Sequence, residues 1–327
     1  MELLRIIDAN FNRVREGLRV IEDILRFSSS GNNFQAQLRE IRHLFTFSYI
    51  KYFGSIPITK RNILEDIGKN NPPYRAKTSK EIVLRNFLRI EEGIRSIEEC
   101  SAVVCPQSTH IWQELRFKIY AIEKRVQSIL PEKEIPAFFI GIMLSGFDIK
   151  RLATVIEIVI KAKPDMLIFQ IDKNPSEYIK YLKKINLEKP IILITDRADI
   201  ALITNIDGVY ITENIDMATD IKTIMPGKII AAGVKSGKTI QKINNPCLNF
   251  VAGENKTIIS RILTKRAKKS KLLVAKIIHP GQQITNIVNN GVDGVILKTD
   301  GIDIQHTVAG INKIKKIAED AHYGKET

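Results

Sequence analysis

The side chains best placed for chemistry fall in two groups. Over the last 190 or so residues, polar and charged residues stand at the ends of short apolar runs. They are Gln170 and Asp172, Asp196 and Arg197, Glu213 and Asp216, Lys235, Glu254 and Lys256, His279, and Lys298. Carboxylates such as Asp196 and Asp216 suit a divalent cation such as Mg2+, which would in turn hold a diphosphate. Lys235 and Lys256 suit direct neutralisation of phosphate. His279 offers proton transfer, and Lys276 offers a Schiff base if its pKa is lowered. The plain alternative for each is a solvated charge, because a lysine-rich chain puts some there in any case.

The second group repeats. Asn10, Phe11, Arg13, Glu16, Gly17, Arg19, Ile21 and Glu22 recur in register as Asn86, Phe87, Arg89, Glu92, Gly93, Arg95, Ile97 and Glu98. A helix core needs only apolar spacing, so duplicated Asn, Arg and Glu ask for more. Asn10, Arg13, Asn86 and Arg89 are candidate ligands for a phosphorylated molecule. The competing reading is internal Arg–Glu pairing. Gly17 and Gly93 fall mid-helix, where glycine costs about 1 kcal/mol against alanine, and a close helix crossing is the simplest reason for both.

The elements that must position these groups differ between the two parts. Ile7, Phe11, Val14, Leu18, Ile21 and Leu25 step by four and three, an apolar stripe on one helical face, and Phe87, Ile90, Ile94 and Ile97 do the same. Each is followed by a second helical stretch, 33–53 and 108–130. The expected arrangement is two helical hairpins in a bundle of about four helices. The connection over 57–76, with Pro72-Pro73, reads as a loop.

After a short charged linker at 131–136 the period changes. Apolar runs at 138–144, 165–171, 190–196, 208–212, 228–233, 248–252, 272–278 and 292–297 alternate with helical stretches. That predicts a (β/α)8 TIM barrel over 137–320, followed by a polar tail at 321–327. An open doubly wound sheet is disfavoured, since no Gly-x-Gly-x-x-Gly follows the first strand. The fold class is therefore α plus α/β: a helical bundle with an internal two-fold repeat over 1–130, then a barrel whose chemistry would sit at the strand ends.

Composition narrows the function classes. The 327 residues carry a net charge of +14, but the excess is spread over both parts and no nucleic-acid motif accompanies it. No apolar run reaches membrane-spanning length and no leader is visible, so neither a nucleic-acid nor a membrane partner is expected. Three cysteines without metal or redox spacing fit a cytoplasmic protein. The first 130 residues hold 14 of the 18 arginines. Forked, bidentate contacts that lysine cannot replace account for that retention.

The run Ile7-Asp8-Ala9-Asn10-Phe11-Asn12-Arg13-Val14-Arg15-Glu16-Gly17-Leu18-Arg19-Val20-Ile21-Glu22-Asp23, with Leu38-Arg39-Glu40-Ile41-Arg42-His43 and the Arg61…Asp66-Ile67-Gly68 loop, resembles the helical extension fused to some bacterial thiamine-phosphate synthases. The stretch Ile191-Ile192-Leu193-Ile194-Thr195-Asp196-Arg197, followed by Asp207-Gly208-Val209-Tyr210-Ile211, resembles the barrel of the same family. The resemblance implies a thiamine-biosynthetic transferase that joins hydroxymethylpyrimidine diphosphate to thiazole phosphate. It places Mg2+ on Asp196, with Asp216 as a displaced second ligand, the pyrimidine on Gln170, and diphosphate on Lys235 or Lys256, with Arg197 beside them.

The chain also departs from that pattern. Asp172 and Asn174 replace an Arg and a Lys, Tyr210 replaces a His, and the glycines of a phosphate-binding turn are replaced by Ile277-Ile278-His279. Two alternatives follow. One is a catalytically impaired barrel whose arginine-rich bundle binds a phosphorylated intermediate or a partner. The other is a thiazole-tautomerase-like enzyme using His279. A homo-oligomer is compatible with all three.

Overall fold

The computed structural model describes residues 2–27, 32–54, 75–171, 175–185, 187–266, 272–279, 291–299 and 304–323. The 61–68 loop and Asp172, Lys173 and Asn174 lie outside these. Two compact units divide at Leu130: Met1–Leu130 and Pro131–Thr327.

In the first unit, α1 (Glu2–Phe27), α2 (Asn32–Phe53), α3 (Ser79–Val104) and α4 (Thr109–Ile129) form the bundle. Thr78 caps α3 by accepting the Glu81 N–H, and the Glu81 carboxylate reaches back to the Lys77 N–H at 2.7 Å. The expected stripes are the core: Ile7, Val14, Leu18, Ile21 and Leu25 on α1 and Phe87, Ile90, Ile94 and Ile97 on α3 are fully buried. Phe45 and Trp112 close the core from α2 and α4, with Phe11 stacked on Tyr49 at 3.7 Å between ring centres.

The two glycines mark where α1 and α3 cross. A Cβ on Gly17 would lie 2.9 Å from Ile90 Cγ1 and 3.3 Å from the Asn86 carbonyl oxygen; on Gly93 it would lie 2.6 Å from Val14 Cγ2 and 3.4 Å from the Asn10 carbonyl oxygen. Each repeat's glycine therefore receives the other repeat's asparagine turn. The close-crossing reading of both glycines is what the structure shows.

In the second unit, eight parallel strands close into a barrel in sequence order. They are β1 (Phe139–Leu144), β2 (Met166–Phe169), β3 (Ile191–Thr195), β4 (Gly208–Ile211), β5 (Ile229–Val234), β6 (Phe250–Gly253), β7 (Leu273–Ile278) and β8 (Gly294–Thr299). Helices α5 (Ile149–Lys161), α6 (Pro175–Lys184), α7 (Ala198–Thr204), α8 (Met217–Ile224), α9 (Gly237–Ile240), α10 (Lys256–Lys265) and α11 (Ile304–Tyr323) complete the unit. The helix α11 continues to Tyr323, so part of the expected polar tail is helical.

Both faces of these strands are buried, which is why they read as unbroken apolar runs. Alternate residues fill the interior: Met143, Ile168, Leu193, Tyr210, Ala231, Phe250, Ala275, Ile277 and Ile296 among them. Their neighbours Ile142, Leu167, Ile194, Val209, Ile230, Val251, Val274 and Val295 face the helices.

At the strands' N-terminal end one contact occurs four times. The residue before each even strand accepts the backbone N–H near the start of the preceding odd strand. Asp165 takes Ile140 N at 2.8 Å, Asp207 takes Ile192 N at 2.8 Å, Asn249 takes Ile230 N at 2.9 Å and Asp293 takes Val274 N at 2.8 Å. Lys133, from the charged linker, joins this layer through Asp207 at 3.0 Å and the carbonyls of Leu187 and Pro190. Arg266 pairs with Asp293 at 2.7 Å.

Candidate functional site

A closed parallel barrel brings the C-terminal ends of all its strands to one mouth, where barrel chemistry is done. Gln170 ends β2, Asp196 ends β3, Thr212 ends β4, Lys235 ends β5, Glu254 ends β6, His279 ends β7 and Lys298 lies in the last turn of β8. The ladder pairs Lys298 with Met143, an interior residue, so Lys298 belongs to the inward set.

Asp196 has a left-handed backbone, with φ of 53°. That turns its carboxylate sideways onto β4, where one oxygen accepts the Thr212 N–H at 2.7 Å and the other accepts the Thr212 hydroxyl. Arg197 is engaged by Asp199 through two bonds of 2.9 and 2.6 Å, which lower the Asp199 pKa and raise that of Arg197. Asp216 is ion-paired with Lys242.

A magnesium ion needs carboxylate oxygens converging on one point. Each oxygen of Asp196 accepts one bond from Thr212, and Asp216 is engaged by the Lys242 ammonium. Among the described residues no three His, Cys, Asp or Glu side chains gather. To take up a divalent cation together with a bound phosphate, Asp196 and Asp216 would each have to release or share these partners.

Two of the candidate lysines, Lys276 and Lys256, lie away from the mouth. Lys276 does not point into the barrel: its neighbours Ala275 and Ile277 are the inward residues, and strand alternation puts Lys276 on the outer face. There it lines a cleft of about 440 Å³ against α10, with Lys256, Ile259, Ser260, Leu263 and Thr264. Lys256 is the first residue of α10 and shares that outer cleft. Lys235 is exposed at the mouth and His279 is half-buried there.

The residue missed in the sequence is Tyr210. It lies inside the barrel, 2% exposed, and its hydroxyl has no hydrogen-bond partner among the described residues. The only signal available was its replacement of the family's histidine at an inward strand position.

In the bundle the repeat's polar residues serve each other. Glu22, 1% exposed, accepts two bonds from Arg42 at 3.1 and 3.3 Å and one from Arg19 at 3.3 Å. Glu98 does the same with Arg116 at 2.8 and 3.4 Å and Arg95 at 3.0 Å. Asn10 and Asn86 are buried, each donating to the carbonyl four residues back, Ile6 at 2.9 Å and Ile82 at 2.8 Å. Arg13 and Arg89 are exposed, with Arg13 Nη1 3.5 Å from Asn10 Oδ1. Internal pairing therefore accounts for much of the arginine retained here.

Comparison with known proteins follows the same division. Residues 5–125 match the ThiD2 family. The similarity then runs on into the barrel. The thiamine-phosphate synthase of Prochlorococcus marinus (strain AS9601) is 27% identical over 262 residues, covering 75% of this chain and 71% of that protein. This chain is similar to the thiamine-phosphate synthases. That of Nostoc sp. (strain PCC 7120 / SAG 25.82 / UTEX 2576) is 22% identical over 245 residues, covering 73% of this chain and 69% of the relative. A solved thiamine phosphate pyrophosphorylase from Pyrococcus furiosus aligns with 55% of this chain and 95% of its own, at 17% identity and a TM-score of 0.45.

Proposed function

We propose that this protein acts in thiamine biosynthesis as a thiamine-phosphate-synthase-type transferase, on hydroxymethylpyrimidine diphosphate and thiazole phosphate. The observation that carries this reading is similarity to thiamine-phosphate synthases across about three quarters of the chain. In the reaction the bond between the pyrimidine methylene carbon and the diphosphate oxygen breaks, and the electron pair leaves with diphosphate. The thiazole nitrogen forms the new bond to carbon, so no net proton transfer is required.

The demand on the protein is then to stabilise charge on the leaving diphosphate. Lys235 and the inward Lys298 carry that charge at the mouth. Arg197 joins them by exchanging Asp199 for phosphate oxygens, and Gln170 holds the pyrimidine. His279, at the same mouth, donates a hydrogen bond to diphosphate as it departs. Asp196 acts here as the clamp between β3 and β4. The reading of the bundle as the working part loses its main motive, because Arg42 and Arg116 serve Glu22 and Glu98.

The test is formation of thiamine phosphate by the full-length protein from both substrates, with and without Mg2+. Product is expected, and Lys235→Ala and Lys298→Ala should each lower its rate at least tenfold. Absence of product from folded protein overturns the transferase reading. Product that depends on Mg2+ and is lost in Asp196→Ala would restore Asp196 as a metal ligand.

A further inference from the structure

Tyr210 is an inward residue of β4, and the ladder pairs it with Ala231 of β5. Its hydroxyl, however, reaches Gly233, two residues further along β5, where an added Cβ would lie 3.0 Å from the oxygen. Parallel strands all run toward the mouth, so the ring leans that way and its hydroxyl is aimed at the C-terminal end of the barrel. Glycine at 233 leaves it the room. A buried hydroxyl normally finds a partner; this one has none among the described residues.

We propose that the Tyr210 hydroxyl is a binding group at the floor of the barrel mouth, donating a hydrogen bond to an uncharged acceptor atom of the ligand, such as a ring nitrogen. The proposal rests on the transferase reading for the identity of that ring, the pyrimidine. The surroundings choose the chemistry. A phenol is a neutral O–H donor, and the charges of Glu254 and Asp196 lie close enough to act on it. The same two carboxylates disfavour an anion at this depth. Lys235 and Lys298 accept the anionic end nearer to solvent, so the ligand enters ring first.

Calorimetry on the full-length protein tests this with two probes, uncharged hydroxymethylpyrimidine and inorganic diphosphate. Tyr210→Phe removes one oxygen and should weaken the pyrimidine about five- to tenfold, the effect of one lost hydrogen bond, while leaving diphosphate unchanged. Gly233→Ala, which crowds the hydroxyl without removing it, should weaken the pyrimidine in the same direction. Without ligand, Tyr210→Phe should melt no lower than the parent protein, since it loses an unpartnered buried group.

Equal pyrimidine affinity in Tyr210→Phe, equal weakening of both probes, or no binding of the pyrimidine to the parent protein would overturn the proposal. If the pyrimidine effect is present and no thiamine phosphate forms, the binding role stands and the transferase reading fails. If thiamine phosphate forms equally well in Tyr210→Phe, with pyrimidine affinity unchanged, the reverse holds.

Discussion

Replacing Gly93 with alanine puts a methyl group into the tightest point of the α1–α3 crossing. Its Cβ would lie 2.6 Å from Val14 Cγ2, well inside contact distance, and 3.4 Å from the Asn10 carbonyl oxygen. Val14 is β-branched and fully buried in a helix, where its χ1 is confined, so it cannot swing aside cheaply. Overpacking of this kind costs about 1–3 kcal/mol, and the gain in helix propensity returns about 1 kcal/mol. A cost near the upper figure leaves a net loss of about 2 kcal/mol for Gly93→Ala. Gly17→Ala, whose Cβ meets Ile90 Cγ1 at 2.9 Å, should lose less.

The assay has a built-in reporter, because the single tryptophan, Trp112, is fully buried in the bundle. Urea unfolding of the full chain followed by Trp112 emission reads the bundle. Adding Val14→Ala to Gly93→Ala should make the double variant more stable than the sum of the two losses by about 1 kcal/mol. Strict additivity, or a Gly93→Ala variant more stable than the parent, would refute the crossing as described.

Other perturbations have equally definite outcomes. Glu22→Gln leaves the Arg42 fork without its buried carboxylate and should cost about 2–3 kcal/mol by the same Trp112 assay, at the low end for a broken buried pair because Arg42 is 19% exposed. Glu91 on α3 lies near the Glu123 carboxyl of α4, and burial first and that neighbour second push its pKa up to about 8. The folded state then holds a proton that the unfolded chain gives up near pH 4.5, so this contribution is complete below pH 4.5 and is lost as pH rises through about 8. Glu91→Gln should therefore become progressively more stable than the parent between pH 5 and pH 9, and a constant difference would contradict the raised pKa. Asp207→Ala removes the acceptor of both Ile192 N–H and Lys133, and should lower the barrel's melting temperature by circular dichroism, equivalent to about 2–3 kcal/mol.

The elements were legible in the sequence because their physics is local. Eight apolar runs became eight strands within two residues at each end, and the i, i+3, i+4 stripes became the bundle core. The direction of Lys276 was not legible. A strand buried on both faces shows no alternation, so nothing in Leu272–Ile278 says which residues face inward until the ladder fixes it. Asp196 was picked out correctly as a strand-end carboxylate, yet its bonds to Thr212 depend on a left-handed turn that sequence does not announce. Arg42 and Arg116 were noticed as a shared triplet, but their partners lie 20 and 18 residues back, a pairing that only helix packing creates. The sequence marks Tyr210 only as a departure from the family pattern, because its peculiarity, a missing partner, is visible only in the fold.

The four side-chain acceptors at the barrel's N-terminal end have a consequence for how this protein tolerates change. Asp165, Asp207, Asn249 and Asp293 tie each odd strand to its even neighbour at the end furthest from the mouth. Register is held there by backbone N–H groups, whose hydrogen-bonding demand is the same whatever side chain they carry. Residues at the mouth, Tyr210 and Ile277-Ile278-His279 among them, can therefore change without strands slipping. Substitutions at the two ends should thus report to different readouts: those at the mouth to ligand affinity, and those at the four anchors to survival of the barrel itself.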